Sequence, residues 1–257
     1  KQKMTLVSTD WLSENLNKVK IVDASWHLIK NRNAIEEYNK EHIENAIFFD
    51  LDKNSNHKKN LPHGHFLPSL SRHEKIISEM GILNTDRIII YCFSDLISSC
   101  RAWFQFLYFG HDPKLVSVLN GGMKKWKLEG KKVTNLKTKI TPSKYKASEN
   151  KNMIKIKSQI DQNIKKNEFT LLDARSKNRF LGLESEPRPG IKSGSIEGSK
   201  SMPLTEIVNV KDNTFLDTKK LRDIFNSSGI ISNKIVMSCG SSVSAASLAL
   251  AYSLIND

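Results

Sequence analysis

Ile235-Val236-Met237-Ser238-Cys239-Gly240-Ser241-Ser242-Val243-Ser244-Ala245 is an apolar run, a cysteine and a short Gly/Ser stretch, and it leads into the small-residue pattern Ala245-Ala246-Ser247-Leu248-Ala249-Leu250. The order reads as strand, loop, helix, with Cys239 at the strand end facing the start of the helix. Unpaired backbone N–H groups converge at a helix N-terminus and stabilise an anion, so a thiol there is a thiolate candidate. Ser241, Ser242 and Ser244 add hydroxyl donors to the same loop. The competing reading is a buried structural cysteine, since Cys is among the most buried residue types. The Gly and Ser that follow favour reactivity.

The pattern around Cys239 occurs earlier in the chain. Thr170-Leu171-Leu172-Asp173-Ala174-Arg175 matches Ile21-Val22-Asp23-Ala24-Ser25, and Gly194 to Ser199 matches Glu41 to Ala46. Lys234 to Cys239 matches Arg87 to Cys92, and the Asp-to-Cys spacings are 69 and 66 residues. Three landmarks in one order mean two copies of one domain. Within each copy strand and helix signals alternate, which predicts a doubly wound, mostly parallel α/β arrangement. In the first copy, Ser8 or Thr9 opens a helix and Val19 to Asp23 is the first strand. Helices are expected at 34–40, 71–80, 98–109 and 123–128, and strands at 46–49, 87–91 and 115–119. Residues 131–152 are polar and Lys-rich without a period. The division is an N-terminal domain over 1–135, a linker over 136–152 and a C-terminal domain over 153–257. Nothing after Asp257 answers to Leu115 through Trp126, so the second copy is expected to be truncated at its C-terminus, with an exposed sheet edge.

Composition narrows the functional classes. The 257 residues carry a net charge of +13, with 24 basic against 16 acidic residues up to position 150 and 16 against 11 beyond it. Such a field steers anionic substrates, or is a Lys-rich solvated surface. The lysines are scattered and do not alternate with stacking aromatics, which argues against nucleic acid as a partner. No apolar run approaches the about 20 residues of a membrane span, and the first residues lack a signal-peptide core. Cys92, Cys100 and Cys239 form no C-x-x-C pair and show no zinc-ligand spacing, which points to a reducing compartment, the cytoplasm by default, and to no metal or other cofactor.

The motifs carry a resemblance. Asp23-Ala24-Ser25-Trp26, Phe48-Phe49-Asp50-Leu51-Asp52, His65-Phe66-Leu67-Pro68, Phe109-Gly110-His111, Gly121-Gly122 before Trp126, Asp173-Ala174-Arg175, Arg179-Phe180 and Glu186-Pro187-Arg188-Pro189-Gly190 occur in one order, with the Cys239 loop completing the set. From about Thr9 onward the chain resembles the tandem rhodanese-domain sulfurtransferases, and the 3-mercaptopyruvate branch more than the thiosulfate branch. Two departures stand out. The family loop reads C-G-[ST]-G-V-T, whereas Ser242 and Ser244 replace the second Gly and the Thr here; a left-handed φ at Ser242 would be strained. The first copy of the family usually carries Asp where this chain has Cys92. Asp95 in the following loop raises a thiol pKa, so Cys92 is expected to be inert.

The resemblance implies a thiolate that takes sulfur from a donor, holds it as a persulfide and passes it on. It makes Cys239 the nucleophile, within a loop of Gly240, Ser241, Ser242, Val243 and Ser244, and gives Arg179 and Arg188 the donor's carboxylate, whose geometry a guanidinium fork matches. Pairing of these arginines with Glu184 or Glu186 is the structural alternative. The thiosulfate branch places basic residues directly after the nucleophile, where Gly240 and Ser241 are uncharged. All seven histidines precede residue 112, so any imidazole serving Cys239 comes from the first domain. The resemblance selects Ser241, Asp52 and His65 as proton-handling partners in a cleft between the copies, with His63 a rival to His65 because the Pro62-His63-Gly64-His65 stretch is longer than the usual family loop. The expected partners are a small-molecule sulfur donor and a thiol acceptor such as thioredoxin, or cyanide. Thiosulfate as donor, and a non-catalytic binding or sensing module, are the alternatives. A cysteine phosphatase is disfavoured, because Ala245 stands where its loop needs Arg.

Overall fold

Ile88-Ile89-Ile90-Tyr91 is a run of β-branched and aromatic residues with no polar alternation, and all four are buried, as a strand covered on both faces requires. In the computed structural model, which describes residues 4–56, 65–230, 234–239 and 243–256, this strand is central to a five-stranded parallel sheet. Its strands are β1 (Leu6–Val7), β2 (Lys20–Asp23), β3 (Ala46–Phe48), β4 (Ile88–Tyr91) and β5 (Val116–Leu119), in the spatial order β1-β5-β4-β2-β3. Helices α1 (Thr9–Asn15), α2 (Ala34–Lys40), α3 (Leu70–Glu79), α4 (Ser99–Tyr108) and α5 (Gly122–Leu128) connect them. Ser8 opens α1, its Oγ accepting from the Trp11 amide at 3.0 Å, as an N-cap does.

The second half repeats the plan on a smaller scale. Strands β6 (Thr170–Asp173), β7 (Lys200–Ser201) and β10 (Ile235–Ser238) form a parallel sheet in the order β10-β6-β7, while β8 (Val208–Asn209) and β9 (Thr214–Phe215) make a separate antiparallel pair. Helices α6 (Lys157–Lys166), α7 (Lys177–Phe180), α8 (Thr218–Ser227) and α9 (Val243–Ile255) complete it. Strand β10 corresponds to β4. Among the described residues it has β6 on one side and no strand in the place that β5 takes beside β4.

The polar stretch between the halves forms no helix or strand between Leu128 and Lys151, yet it is pinned to the first half. The amides of His42 and Thr134 each donate to the other's carbonyl at 2.8 Å, and buried Tyr145 stacks on His111. The two halves share one hydrophobic core. Val22, Ile47 and Phe106 of the first belong to the same buried cluster as Leu172, Val243 and Leu248 of the second, with α4 packed against α9. The seam places the C-terminal ends of both sheets near each other, where parallel α/β sheets bind ligands.

Candidate active site

Cys239 leaves the end of β10 beside Asp173, in register with Ser238 opposite that residue. The Ala245 amide, in the first turn of α9, donates to Cys239 Sγ at 3.3 Å. The sulfur thus lies at the positive end of a 13-residue helix, a setting that favours a thiolate. Val243 is buried and Ser244 lines the cleft. Gly240, Ser241 and Ser242 lie outside the described residues, as does His63.

In the cleft Cys239 and Ser244 meet Arg175, Arg179, Glu186 and Arg188, with Leu28 and Leu96 of the first half opposite. Glu186 divides the arginines. Its side chain is 1% exposed and receives Arg179 Nη2 at 2.5 Å and Arg175 Nη1 at 2.7 Å. Burial opposes ionisation of Glu186, but these two guanidinium groups outweigh it and hold the carboxyl below its ordinary range. Arg175 is also forked onto Asp173, with Nη2 at 2.6 Å from Oδ2. The pairing of Arg179 with Glu186 is therefore realised, in a buried network rather than on the surface. Arg188 differs: its Nη1 is buried and makes no hydrogen bond among the described residues, and its guanidinium lies 5.9 Å from the centre of the Trp26 ring. Burial pushes Arg188 below the usual arginine range, and the Asp52 and Cys239 charges work in the opposite direction.

From the first half, His65 Nε2 meets Asp52 Oδ1 at 2.7 Å. His65 is 3% exposed while the Asp52 side chain is 61% exposed, so the pair runs from the protein interior toward solvent. The His65 ring stands edge-on to Trp26, with centroids 4.6 Å apart. Burial lowers the His65 pKa, and the bond to Asp52 offsets only part of that. The backbone there is left-handed, with φ at 73°.

Cys92, at the equivalent point of the first half, has a different environment. It is 5% exposed, its Sγ lies 3.4 Å from Ser99 Oγ, and burial raises its pKa. Burial, and not the Asp95 charge expected from the sequence, acts on this thiol. None of the three cysteines forms a disulfide. Among the described residues no group of three or more His, Cys, Asp or Glu side chains is arranged to hold a metal ion, and no helix is long and apolar enough to cross a membrane.

Sequence reasoning paired Cys239 with Arg179, Arg188, Asp52 and His65, but it used Arg175 only as a repeat landmark. The signal was its counterpart: where Asp173 carries Arg175 two residues on, Asp23 has Ser25. Trp26, whose sequence signal is only its place in a motif, is a neighbour of both the His65 ring and the Arg188 guanidinium.

A strand-end cysteine at a helix N-terminus, in a two-halved parallel α/β protein, defines a rhodanese-like protein. The rhodanese-like domain model matches residues 8–129. Thiosulfate/3-mercaptopyruvate sulfurtransferase 1, mitochondrial, of Arabidopsis thaliana is 35% identical over 95% of this chain and 70% of its own length. Thiosulfate sulfurtransferase of Mus musculus is 34% identical over 96% of this chain and 84% of its own. The crystal structure of the 3-mercaptopyruvate sulfurtransferase SseA from Escherichia coli superposes with a TM-score of 0.87 at 29% identity, covering 98% of this chain and 94% of SseA. The chain belongs to the rhodanese-fold sulfurtransferases, and it is an enzyme of sulfur transfer.

Proposed function

We propose that the donor is 3-mercaptopyruvate and that Cys239 is the nucleophile. The observation that carries this reading is the location of Arg188, a guanidinium with an unused buried N–H, in the same cleft as Cys239 Sγ at the start of α9. The Cys239 thiolate attacks the donor's thiol sulfur and an S–S bond forms. The donor's C–S bond breaks, and its electron pair passes to carbon as the enolate of pyruvate. Protonation of that carbon releases pyruvate and leaves Cys239 as the persulfide. Arg188 takes the donor's carboxylate, and Arg179 contributes through the Glu186 network. His65, oriented by Asp52, handles the proton, with Ser241 as the relay. Gly240, Ser242, Val243 and Ser244 are assigned to donor binding. An acceptor thiolate, such as that of thioredoxin, or cyanide then attacks the outer sulfur and restores the Cys239 thiolate.

The domain division follows the same reading. The segment 153–257 supplies the nucleophile and 1–135 the proton-handling pair, with 136–152 joining them. Three cysteines without a disulfide fit a reducing compartment, and we assign the protein to the cytoplasm.

The deciding assay is pyruvate release from 3-mercaptopyruvate by the wild type and by Cys239→Ser, with the same preparations offered thiosulfate. The expected result is a larger kcat/KM for 3-mercaptopyruvate and no turnover by the variant. Faster turnover of thiosulfate favours the compact dianion as donor, because three arginines around one cleft also suit a dianion. A donor-treated protein that gains no adduct of about +32 Da at Cys239 favours a binding module.

A further inference from the structure

Arg101 lies on α4 of the first half and is 1% exposed. Its Nη2 donates to the main-chain carbonyl of His65 at 3.0 Å, and its Nη1 donates to Gln105 Oε1 at 2.9 Å. Gln105 Nε2 in turn lies 3.0 Å from His73 Nδ1 on α3. A chain of buried polar groups therefore runs from α3 through α4 to the backbone of His65. That backbone is left-handed at a residue with a full side chain, a conformation that persists only where surrounding contacts hold it. The carbonyl clamped by Arg101 belongs to the strained residue itself.

The location has a second consequence. Burial pulls Arg101 down to about 10, so it is still charged at pH 7, and the Cys239 charge acts in the opposite direction across the seam. Charges interact more strongly where water is excluded. The repeat makes the feature one-sided. Arg101 stands nine residues after Cys92, and the residue nine after Cys239 is Leu248, a buried core side chain. The first half thus contributes a cation where the second contributes a hydrocarbon.

We propose that Arg101 is a positioning residue of the sulfur-transfer site, fixing His65 through its main-chain carbonyl and lending a permanent positive charge to the Cys239 sulfur from the opposite half. The inference rests on the reading of Cys239 as nucleophile and His65 as proton carrier. The other charged groups about this site are Arg188, Arg175, Arg179 and Glu186 around the cleft, with Asp52 and His65 beyond.

The test uses Arg101→Met, which removes the charge and the fork, and Arg101→Lys, which keeps a charge and loses the fork. The Cys239 thiol pKa is read from the pH dependence of iodoacetamide labelling, mapped by mass spectrometry with no donor present. Arg101→Met is expected to raise that pKa by about one to two units. Arg101→Lys is expected to leave it nearly unchanged but to lower kcat about tenfold or more at unchanged KM, because the imidazole is no longer fixed. A wild-type labelling profile and kcat in a folded Arg101→Met overturns the proposal. If Arg101→Met does not fold, a wild-type kcat in Arg101→Lys overturns it alone. Labelling needs no turnover, so an inactive wild type with the expected labelling shift refutes the sulfurtransferase mechanism and leaves the electrostatic role of Arg101 standing.

Discussion

His65 and Asn213 hold equivalent positions in the two halves. Both have left-handed backbones, with φ at 73° and 62°, and each directly precedes the residue that closes an antiparallel pairing, Phe66 with Asn56 and Thr214 with Asn209. The molecule therefore contains two related clefts. Asn213 of the second half shares a small cavity with Cys92 and Phe215, whereas His65 of the first half feels the charge of Arg188, which lines the cleft of Cys239. An amide has no titratable proton to exchange near neutral pH. The Cys92 cleft is also closed by the second half, where the Phe215 amide donates to Asn120 Oδ1 at 2.9 Å and Lys124 Nζ donates to the Val210 carbonyl at 2.7 Å.

Selective labelling follows from that asymmetry. With iodoacetamide near pH 7.5, Cys239 is expected to be modified while Cys92 and Cys100, both buried with raised pKa values, stay unlabelled until the chain is unfolded. Cys92→Ser is expected to keep kcat within about twofold. Peptide mapping that finds Cys92 labelled at the rate of Cys239 contradicts this picture.

Arg179 and Arg188, two of the three arginines of the cleft, are not equivalent. Arg188→Ala removes the guanidinium with an unused N–H, and KM for 3-mercaptopyruvate is expected to rise about 10- to 100-fold, the worth of a charged hydrogen bond. Arg179→Ala removes one of two cations on Glu186. It is expected to raise KM less and to cost about 1–3 kcal/mol of stability by leaving a buried carboxylate half-paired. Steady-state kinetics and urea unfolding of the two variants check the order.

Asp23 gives a pH signature. Burial raises its pKa from 3.8 to about 6 despite bonds from the Ser25 amide and hydroxyl. The folded state holds this proton more tightly than the unfolded chain, so the native protein loses stability as pH rises from about 4 to about 6, by about 3 kcal/mol in all. Asp23→Asn removes the cost of ionisation. The variant is expected to match the wild type near pH 4 and to exceed it above pH 6, as urea midpoints at both pH values will reveal. An equal midpoint difference at the two values refutes the assignment.

Gly122 and Gly130 both have positive φ, at 53° and 67°, but a Cβ on Gly122 would meet the Cys92 carbonyl oxygen at 2.4 Å, whereas nothing lies within 4 Å of one on Gly130. Gly122→Ala is expected to cost about 2–4 kcal/mol and Gly130→Ala about 1 kcal/mol. Thermal melts of the pair separate close approach from backbone conformation.

Much of this arrangement was legible in the sequence because it is written in local patterns. The run Ile88 to Tyr91, the Asp23–Asp173 repeat and the cysteine before a small-residue helix fix their elements, and α2 spans Ala34–Lys40 as periodicity predicts. The first strand was missed: Leu6–Val7 is too short to show alternation and becomes a strand only by pairing with Val118 and Leu119. The Val208–Asn209 and Thr214–Phe215 pair is equally short. Within the site, residue type reveals that Arg179 and Arg188 are cations but not which of them Glu186 engages. Arg101 carries no signal either, because its partner is a main-chain carbonyl 36 residues away.

The core shared by α4 and α9 welds the two halves at the wall of the cleft. Halves joined by a common core do not part by a hinge swing, so donor and acceptor approach Cys239 through the same recess. Turnover in such a vessel must alternate: the spent donor departs before the acceptor arrives, and the protein carries the sulfur alone in between. Double-reciprocal plots of parallel lines are the kinetic imprint of that alternation.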